Sequence, residues 1–176
     1  MHSTDTQHRP RAAPLALNKP EREPKPLGFT ALRQWLRHRH PMILLDRIVD
    51  HEPGKFLEAL LSISGNLDCI AGHFPERAIY PGSHLIQAFA QAGIILYQMS
   101  TSMLAEDELT LVGSVESRFL QVVVPGDQVL LRLQVSRLAG GLFIYTGKAM
   151  VGNRRVAAFR ASLIRAKVSE LGSPLW

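Results

Sequence analysis

The stretch PGSHLIQAFAQAGIILYQMSTSML, residues 81–104, decides the fold of this 176-residue chain. Pro81 and Gly82 suit the start of a helix, because the first backbone N–H groups of a helix lack partners inside it and proline is tolerated there. Apolar side chains then cover nearly the whole circumference of the predicted helix: Leu85, Ile86, Phe89, Ala92, Ile94, Ile95, Leu96 and Met99. A helix that is apolar on all sides must be surrounded by protein.

The segments on either side of this helix predict β-strands. In VLLRLQVSRL (129–138), Val129, Leu131, Leu133 and Val135 face one way, whereas Arg132, Gln134 and Ser136 face the other. Further strands are predicted in MILLDRIVD (42–50), FLEALLSIS (56–64), LTLVGSVESRFLQ (109–121), LFIYTGKAMV (142–151) and VAAFRASLIRA (156–166). TALRQWLRHRH (30–40) predicts a shorter helix, with Leu32, Trp35 and Leu36 at helical spacing and Pro41 ending it. These elements predict an α+β domain in which a curved antiparallel sheet wraps around the long helix.

The composition divides the chain into one domain and two tails. Residues 1–27 contain five prolines and few large apolar groups, so we expect a flexible N-terminal tail. Residues 28–168 form the predicted domain, and residues 169–176 a short C-terminal tail. No apolar run reaches about 18 residues, which predicts that no segment spans a membrane.

Charge and cysteine content narrow the function further. The net charge is +5, but the basic residues form no zinc-finger or RNA-binding motif, so we expect no nucleic-acid partner. Cys69 is the single cysteine, so neither an internal disulfide nor a Cys-based zinc site can form, and the polar N-terminus predicts no secretory signal. We therefore expect a cytoplasmic location. The seven histidines show no metal-ligand spacing with carboxylates.

Three ordered motifs resemble one known family. LRHRHPMILLDRIVDHEPGK (36–55) resembles the opening of the bacterial 3-hydroxyacyl-ACP dehydratases of the FabZ and FabA type. GHFPERAIYPG (72–82) resembles their G-H-F-P-x-x-P-x-M-P-G motif, and SRFLQVVVPGD (117–127) their A-R-F-x-x-P-V-x-P-G-D motif. The likeness runs from about Leu32 to Lys167. It implies a hot-dog fold, an acyl group carried on the phosphopantetheine of acyl carrier protein or CoA, and no cofactor of the enzyme's own.

The resemblance also implies site residues. His73 stands where the family has its catalytic histidine, and the N–H groups near Gly82 and Ser83 where it polarises the thioester carbonyl. Where the family carries a glutamate or aspartate that reaches into the neighbouring subunit's site, this chain has Gln87. Further candidate substrate contacts are Phe74, His84 and Phe119. The family's shared site implies a homodimer or larger homo-oligomer, or a heterodimer with a second hot-dog subunit.

Gln87 changes the expected chemistry. Dehydration removes a proton from C2 and expels hydroxide from C3 of a 3-hydroxyacyl thioester, and a neutral imidazole is a suitable base. Glutamine can donate a hydrogen bond to the leaving oxygen but has no titratable proton. The main hypothesis is an acyl-thioester lyase of fatty-acid or polyketide-like biosynthesis with an altered acid/base pair. The alternatives are a non-catalytic or half-site subunit whose partner supplies the carboxylate, and a hot-dog thioesterase or isomerase.

Overall fold

The computed structural model describes residues 22–173. In chain order its elements are α1 (Phe29–Leu32), β1 (Arg47–Glu52), β2 (Phe56–Ser62), α2 (Asp68–His73), α3 (Gly82–Ser100), β3 (Glu108–Phe119), β4 (Gln128–Ala139), β5 (Leu142–Val151) and β6 (Arg154–Lys167). The strands form one sheet in the order β1-β2-β4-β5-β6-β3, in which every neighbouring pair is antiparallel. Irregularities in register interrupt four of the five strand pairs, and such bulges bend a strand.

Helix α3 lies against the concave side of this sheet and contacts β2, β3, β4, β5 and β6. Its apolar side chains are buried, including Leu85, Phe89, Ile95 and Leu96 at 2% exposure or less. Aromatic rings fix this packing, because Phe89 stacks between Tyr145 and Phe159 at centroid distances of 4.8 and 4.7 Å. The α+β fold and the hot-dog arrangement predicted from the sequence are therefore confirmed. No helix within residues 22–173 is long and apolar enough to cross a membrane.

Most strand predictions are accurate. The predicted alternation in β4 is confirmed, because Val129, Leu131 and Leu133 are buried while Arg132 and Gln134 are exposed. The predicted first strand is wrong at its start, since β1 begins at Arg47 rather than at Met42. The reason is that backbone groups of Met42 and Leu44 bond to glutamine side chains of α3 instead of a neighbouring strand.

The helix predicted over residues 30–40 is also wrong in length, because α1 ends after one turn at Leu32. Gln98 of α3, which is 3% exposed, donates its side-chain N–H to the Trp35 carbonyl at 2.6 Å. In a longer helix, that carbonyl would accept a backbone hydrogen bond from within the helix. The segment that follows α1 thus covers α3 without regular secondary structure, and side-chain amides form hydrogen bonds with some of its backbone groups.

Part of each predicted tail has a defined structure. Leu27 pairs with Ile48 in an antiparallel bridge, and Arg22 forms an ion pair with Asp50 at 2.8 Å, so residues 22–27 pack against β1. A 3-10 turn covers Val168–Glu170 at the other end. Residues 1–21 and 174–176 lie outside the described part of the chain, and the flexibility expected there stays a prediction.

Candidate active site

A cavity of about 480 Å³ lies at the N-terminal end of α3. Its wall comes from the end of α2, from the loop before α3, from the first turn of α3 and from the segment that follows β3. The residues that line it are His73, Ile79, Tyr80, Gly82, Leu85, Phe119, Leu120, Gln121, Val122 and Val123. Three candidates from the sequence, His73, Gly82 and Phe119, therefore share one cavity.

His73 is the last residue of α2. Its Nδ1 lies 3.0 Å from the carbonyl oxygen of Ile79. A carbonyl can only accept a hydrogen bond, so this contact places the ring proton on Nδ1. The ring also packs against Phe74 at a centroid distance of 4.1 Å. In its neutral form the half-buried imidazole therefore keeps the Nε2 lone pair available as a base.

The start of α3 supplies hydrogen-bond donors to the same cavity. The N–H groups of His84 and Leu85 both donate to the Pro81 carbonyl. Within residues 22–173, the N–H groups of Gly82 and Ser83 have no such partner. Unpaired N–H groups at a helix N-terminus carry a partial positive charge and suit a developing oxyanion.

Position 82 leaves little room for a side chain, because the Phe119 ring lies across it. A Cβ atom there would be 2.8 Å from Cζ of Phe119. The same ring is 47% exposed and packs edge-on against Phe159 at 6.2 Å. Phe119 therefore covers the helix start and forms one wall of the cavity.

Gln87 lies on a different face of α3. It follows the cavity residue Leu85 by two positions, which corresponds to a rotation of about 200° around the helix. Its Nε2 donates to the carbonyl oxygen of Met42 at 2.9 Å, and Gln87 is absent from the cavity wall. One protomer therefore does not bring His73 and Gln87 together.

The remaining candidates flank the cavity without lining it. The Ser83 side chain is exposed, and His84 packs edge-on against Tyr80 at 5.7 Å. Nδ1 of His84 is buried and has no hydrogen-bond partner in the described part of the chain. Burial raises the pKa of Cys69, which disfavours the thiolate and any nucleophilic role. The substrate-binding roles of Phe74, Ser83 and His84 stay predictions.

Several wall residues were not predicted from the sequence as site residues, among them Ile79, Tyr80, Leu85 and Gln121. Tyr80 lies inside the quoted histidine motif, and Gln121 directly follows the motif's Phe119 and Leu120. Position within a motif was thus the only available signal for Ile79, Tyr80 and Gln121, and Leu85 was predicted only as an apolar residue of the long helix. No cluster of three or more His, Cys, Asp or Glu side chains suited to a metal ion occurs within residues 22–173. The expectation that the reaction needs no metal or cofactor stays a prediction.

The amino-acid sequence of the chain is similar to that of known proteins. Residues 36–160 match the FabA-like domain. The chain is 51% identical over 159 residues to coronafacic acid dehydratase of Pseudomonas savastanoi pv. glycinea, an alignment that covers 90% of this chain and 96% of that protein. It is 38% identical over 136 residues to 3-hydroxyacyl-[acyl-carrier-protein] dehydratase FabZ of Actinobacillus pleuropneumoniae serotype 5b, covering 77% of this chain and 88% of that protein.

Solved structures agree at the level of the fold. The dehydratase heterocomplex ApeI:P from Xenorhabdus doucetiae aligns with a TM-score of 0.67 at 14% identity, covering 80% of this chain and 93% of that chain. Thioesterase HI1161 from Haemophilus influenzae aligns with a TM-score of 0.59 at 13% identity, covering 81% and 92%. At such low identity these two structures support the hot-dog fold alone.

Proposed function

The chain belongs to the FabA-like family, and from that premise we propose that it is an acyl-thioester lyase that dehydrates a 3-hydroxyacyl chain in fatty-acid or polyketide-like biosynthesis. The observation that carries the proposal is the hydrogen bond from His73 Nδ1–H to the Ile79 carbonyl, because it leaves Nε2 free as a base beside the helix start. Both sequence relatives described above are named as dehydratases.

The geometry supports the following course of reaction. The thioester carbonyl oxygen accepts hydrogen bonds from the Gly82 and Ser83 N–H groups, which stabilises the negative charge that develops when C2 is deprotonated. His73 Nε2 takes the C2 proton. The C2–C3 double bond forms as the C3–O bond breaks, the departing oxygen takes up one proton, which balances the proton lost from C2, and the products are a 2-enoyl thioester and water. The apolar wall of Ile79, Leu85 and Val122 suits the acyl chain.

A second copy of the chain completes the site in this proposal. Gln87 faces away from the cavity of its own protomer, so it can only meet the substrate in the cavity of an adjoining copy. Apolar side chains that are 37–52% exposed border the cavity and would be covered by that copy: Phe74, Phe119, Leu120, Val122 and Val124. Val122→Glu should therefore turn a dimer into a monomer, as measured by light scattering after gel filtration, and an unchanged mass would contradict this interface.

The acyl group reaches the site on the phosphopantetheine arm of a carrier protein or CoA. Arg33, Arg37, Arg39 and Arg77 are candidate contacts for an acidic carrier protein, because opposite charges steer such encounters. Two of them are already engaged, since Arg37 donates to the Ala105 and Glu106 carbonyls and Arg39 to the Leu36 and His38 carbonyls.

Arg77 from this set, together with Arg154, is better placed for the carrier protein. Arg77 is exposed and follows His73 by four residues, and Arg154 donates to the cavity residue Gln121 at 2.8 Å. Arg77→Glu and Arg154→Glu should weaken carrier-protein binding in calorimetry, because charge complementarity steers such encounters. Arg137→Glu is the charge-matched control. Arg137 lies near the C-terminal end of β4, at the opposite end from Gln128. Equal binding by all three variants would contradict this docking site.

The activity itself is tested with the purified chain alone. We expect it to convert a 3-hydroxyacyl thioester into the enoyl thioester, and His73→Ala to be inactive. If the wild type is inactive and Gln87→Glu gains activity, the chain is instead a half-site subunit, and a copurifying hot-dog partner should supply the carboxylate. Release of free thiol from acyl-CoA would instead identify a thioesterase. A cytoplasmic location stays a prediction.

A further inference from the structure

The Met42 carbonyl accepts hydrogen bonds from two glutamine side chains of α3. Nε2 of Gln87 lies 2.9 Å from this oxygen and Nε2 of Gln91 lies 2.6 Å from it. Gln91 also accepts the Leu44 N–H on its Oε1 at 3.0 Å. We call Gln87, Gln91 and the Met42 carbonyl the amide clamp. The two donors occupy both lone pairs of the carbonyl oxygen.

The clamp fixes the orientation of the Gln87 amide. Its nitrogen points toward Met42, and one of its two N–H groups is used there, which leaves the second N–H and Oε1 for other contacts. A carboxylate at this position would have no proton to donate and would set two acceptor oxygens against each other. Position 87 therefore requires a neutral donor in this chain, on the basis of its own contacts.

The cavity contains few groups that can exchange protons. Among its wall residues, His73 and Tyr80 alone are ionisable. Burial raises the pKa of Tyr80 well above its ordinary value, with smaller contributions from Cys69 and Asp46, so its hydroxyl stays protonated throughout the neutral range. Other ionisable side chains on or next to the surrounding elements lie outside the wall, among them Asp46, Asp68, Cys69, Glu76, Arg77, His84, Arg118 and Arg154. Since the Tyr80 hydroxyl keeps its proton, His73 is the wall residue left to take up a proton and return it.

We propose that His73 performs both proton transfers of the dehydration, while Gln87 of the adjoining copy is a clamped, neutral hydrogen-bond donor to the leaving oxygen. This inference rests on the proposed function. His73 Nε2 takes the proton from C2, and the electron pair of that C–H bond forms the C2–C3 double bond. The C3–O bond breaks, and the departing oxygen takes the same proton back from Nε2–H and leaves as water. His73 ends the cycle neutral.

A one-base reaction has a distinct dependence on pH. The wild-type kcat should rise with pH to a plateau, because the base must be unprotonated, and should stay level to about pH 9, because no second group must remain protonated. An enzyme with a separate carboxyl acid shows a bell-shaped profile instead. The shape of the profile therefore separates the two mechanisms without any variant.

Variants of the clamp sharpen this test. In Gln87→Glu, only the protonated carboxyl can donate to Met42, so kcat should fall again at higher pH. Gln87→Met loses the donor and should lower kcat about tenfold with the wild-type profile shape, as expected for one buried hydrogen bond. Gln98→Glu is the matched control, because Gln98 binds the Trp35 carbonyl and the Leu104 N–H in the same way, two turns further along α3 than Gln91. It should lower the melting temperature and keep the profile shape.

The assay uses the full chain, a 3-hydroxyacyl pantetheine thioester and pH values from about 5.5 to 9.5. A level alkaline limb in the wild type, together with a falling limb in Gln87→Glu alone, supports the proposal. A bell-shaped wild-type profile overturns it while leaving the proposed dehydratase function intact. A gain in kcat for Gln87→Glu across the whole range also overturns it. An inactive wild type overturns the proposed function and this mechanism together.

Discussion

Gly93 of α3 lies directly against the phenol of Tyr145 on β5, and a methyl group at position 93 would overlap both the ring and its hydroxyl. The helix and the sheet are therefore as close at this point as a glycine hydrogen allows. Tyr145 in turn stacks on Phe89 and Phe143, so this contact holds one end of the aromatic core in register.

Gly93→Ala should destabilise the domain, because neither the helix backbone nor the stacked ring can move aside freely. Overpacking of this kind costs about 1–3 kcal/mol of unfolding free energy, which urea denaturation can measure. Gly28→Ala is the control, since a Cβ atom there meets nothing within 4 Å and its φ of −71° suits alanine. Equal stability of the two variants would contradict the close approach.

Tyr145→Phe should stabilise the fold. The Tyr145 hydroxyl is buried and has no hydrogen-bond partner within the described residues, and an unpaired buried hydroxyl is costly. Removing it should raise the unfolding free energy by about 1 kcal/mol. Tyr97→Phe is the matched comparison, because the Tyr97 hydroxyl donates to the Gly141 carbonyl at 2.8 Å, and its loss should lower stability by about the same amount. A loss of stability in both variants would show that the Tyr145 hydroxyl has a partner.

Gly82→Ala should impair activity more than stability. The added methyl group would meet the Phe119 ring, and because that ring is half exposed it can shift, at the expense of the cavity and of access to the helix start. We expect kcat/KM to fall about 100-fold, the effect of losing one oxyanion donor, with little change in melting temperature. Adding Phe119→Leu to this variant should recover part of the loss. No recovery would mean that the methyl group acts on the donors directly.

The packing of residues 22–27 against β1 should depend on pH through Asp50. Partial burial raises the pKa of Asp50, but hydrogen bonds from the Lys25 N–H, the Arg22 guanidinium and the His51 N–H outweigh it and hold that pKa below its ordinary value. The stabilisation is therefore fully present above the ordinary aspartate pKa of about 4 and is lost as pH falls through the lower folded value.

Hydrogen exchange at the Leu27 N–H, which donates to the Ile48 carbonyl, reports this packing. Its exchange, corrected for the intrinsic pH dependence, should accelerate below about pH 4. In Asp50→Asn it should already be fast at neutral pH, whereas the exposed Glu76→Gln should leave it unchanged. Protection of Leu27 that is the same in wild type and Asp50→Asn would contradict the role of the carboxylate.

Hydrophobic periodicity was sufficient to predict the strands and the long helix. The pattern of β4 is local and strictly alternating, and α3 is so apolar that it has to be central. The one-turn α1 could not be predicted, because what ends it is the Gln98 side chain, more than sixty residues away along the chain. Likewise, the packing of Arg22 against Asp50 depends on a contact across twenty-eight residues that no local pattern encodes.

The site could be predicted only in part, because some of its contacts also join residues that are far apart along the chain. His73, Gly82 and Phe119 lie in motifs whose order along the chain is informative, and they do share the cavity. The group that sets the His73 tautomer is the Ile79 carbonyl, which accepts the Nδ1–H, and a backbone acceptor carries no residue-type signal in the sequence. The contact of Gln87 with Met42 needed the irregular path of residues 41–46, which the sequence suggested to be a strand.

The amide clamp also limits how this protein can have diverged. Gln87 and Gln91 donate to the same carbonyl. A single mutation of Gln87 to glutamate would therefore change the reaction and at the same time destabilise the segment that covers α3. A change between an amide and a carboxyl at this position leaves Gln91 as the remaining donor to the Met42 carbonyl, and a second donor acquired before or together with that change would compensate for the loss. Position 87 and the residues around Met42 should for this reason vary together among descendants of a common ancestor, as a linked pair of traits rather than as two independent ones.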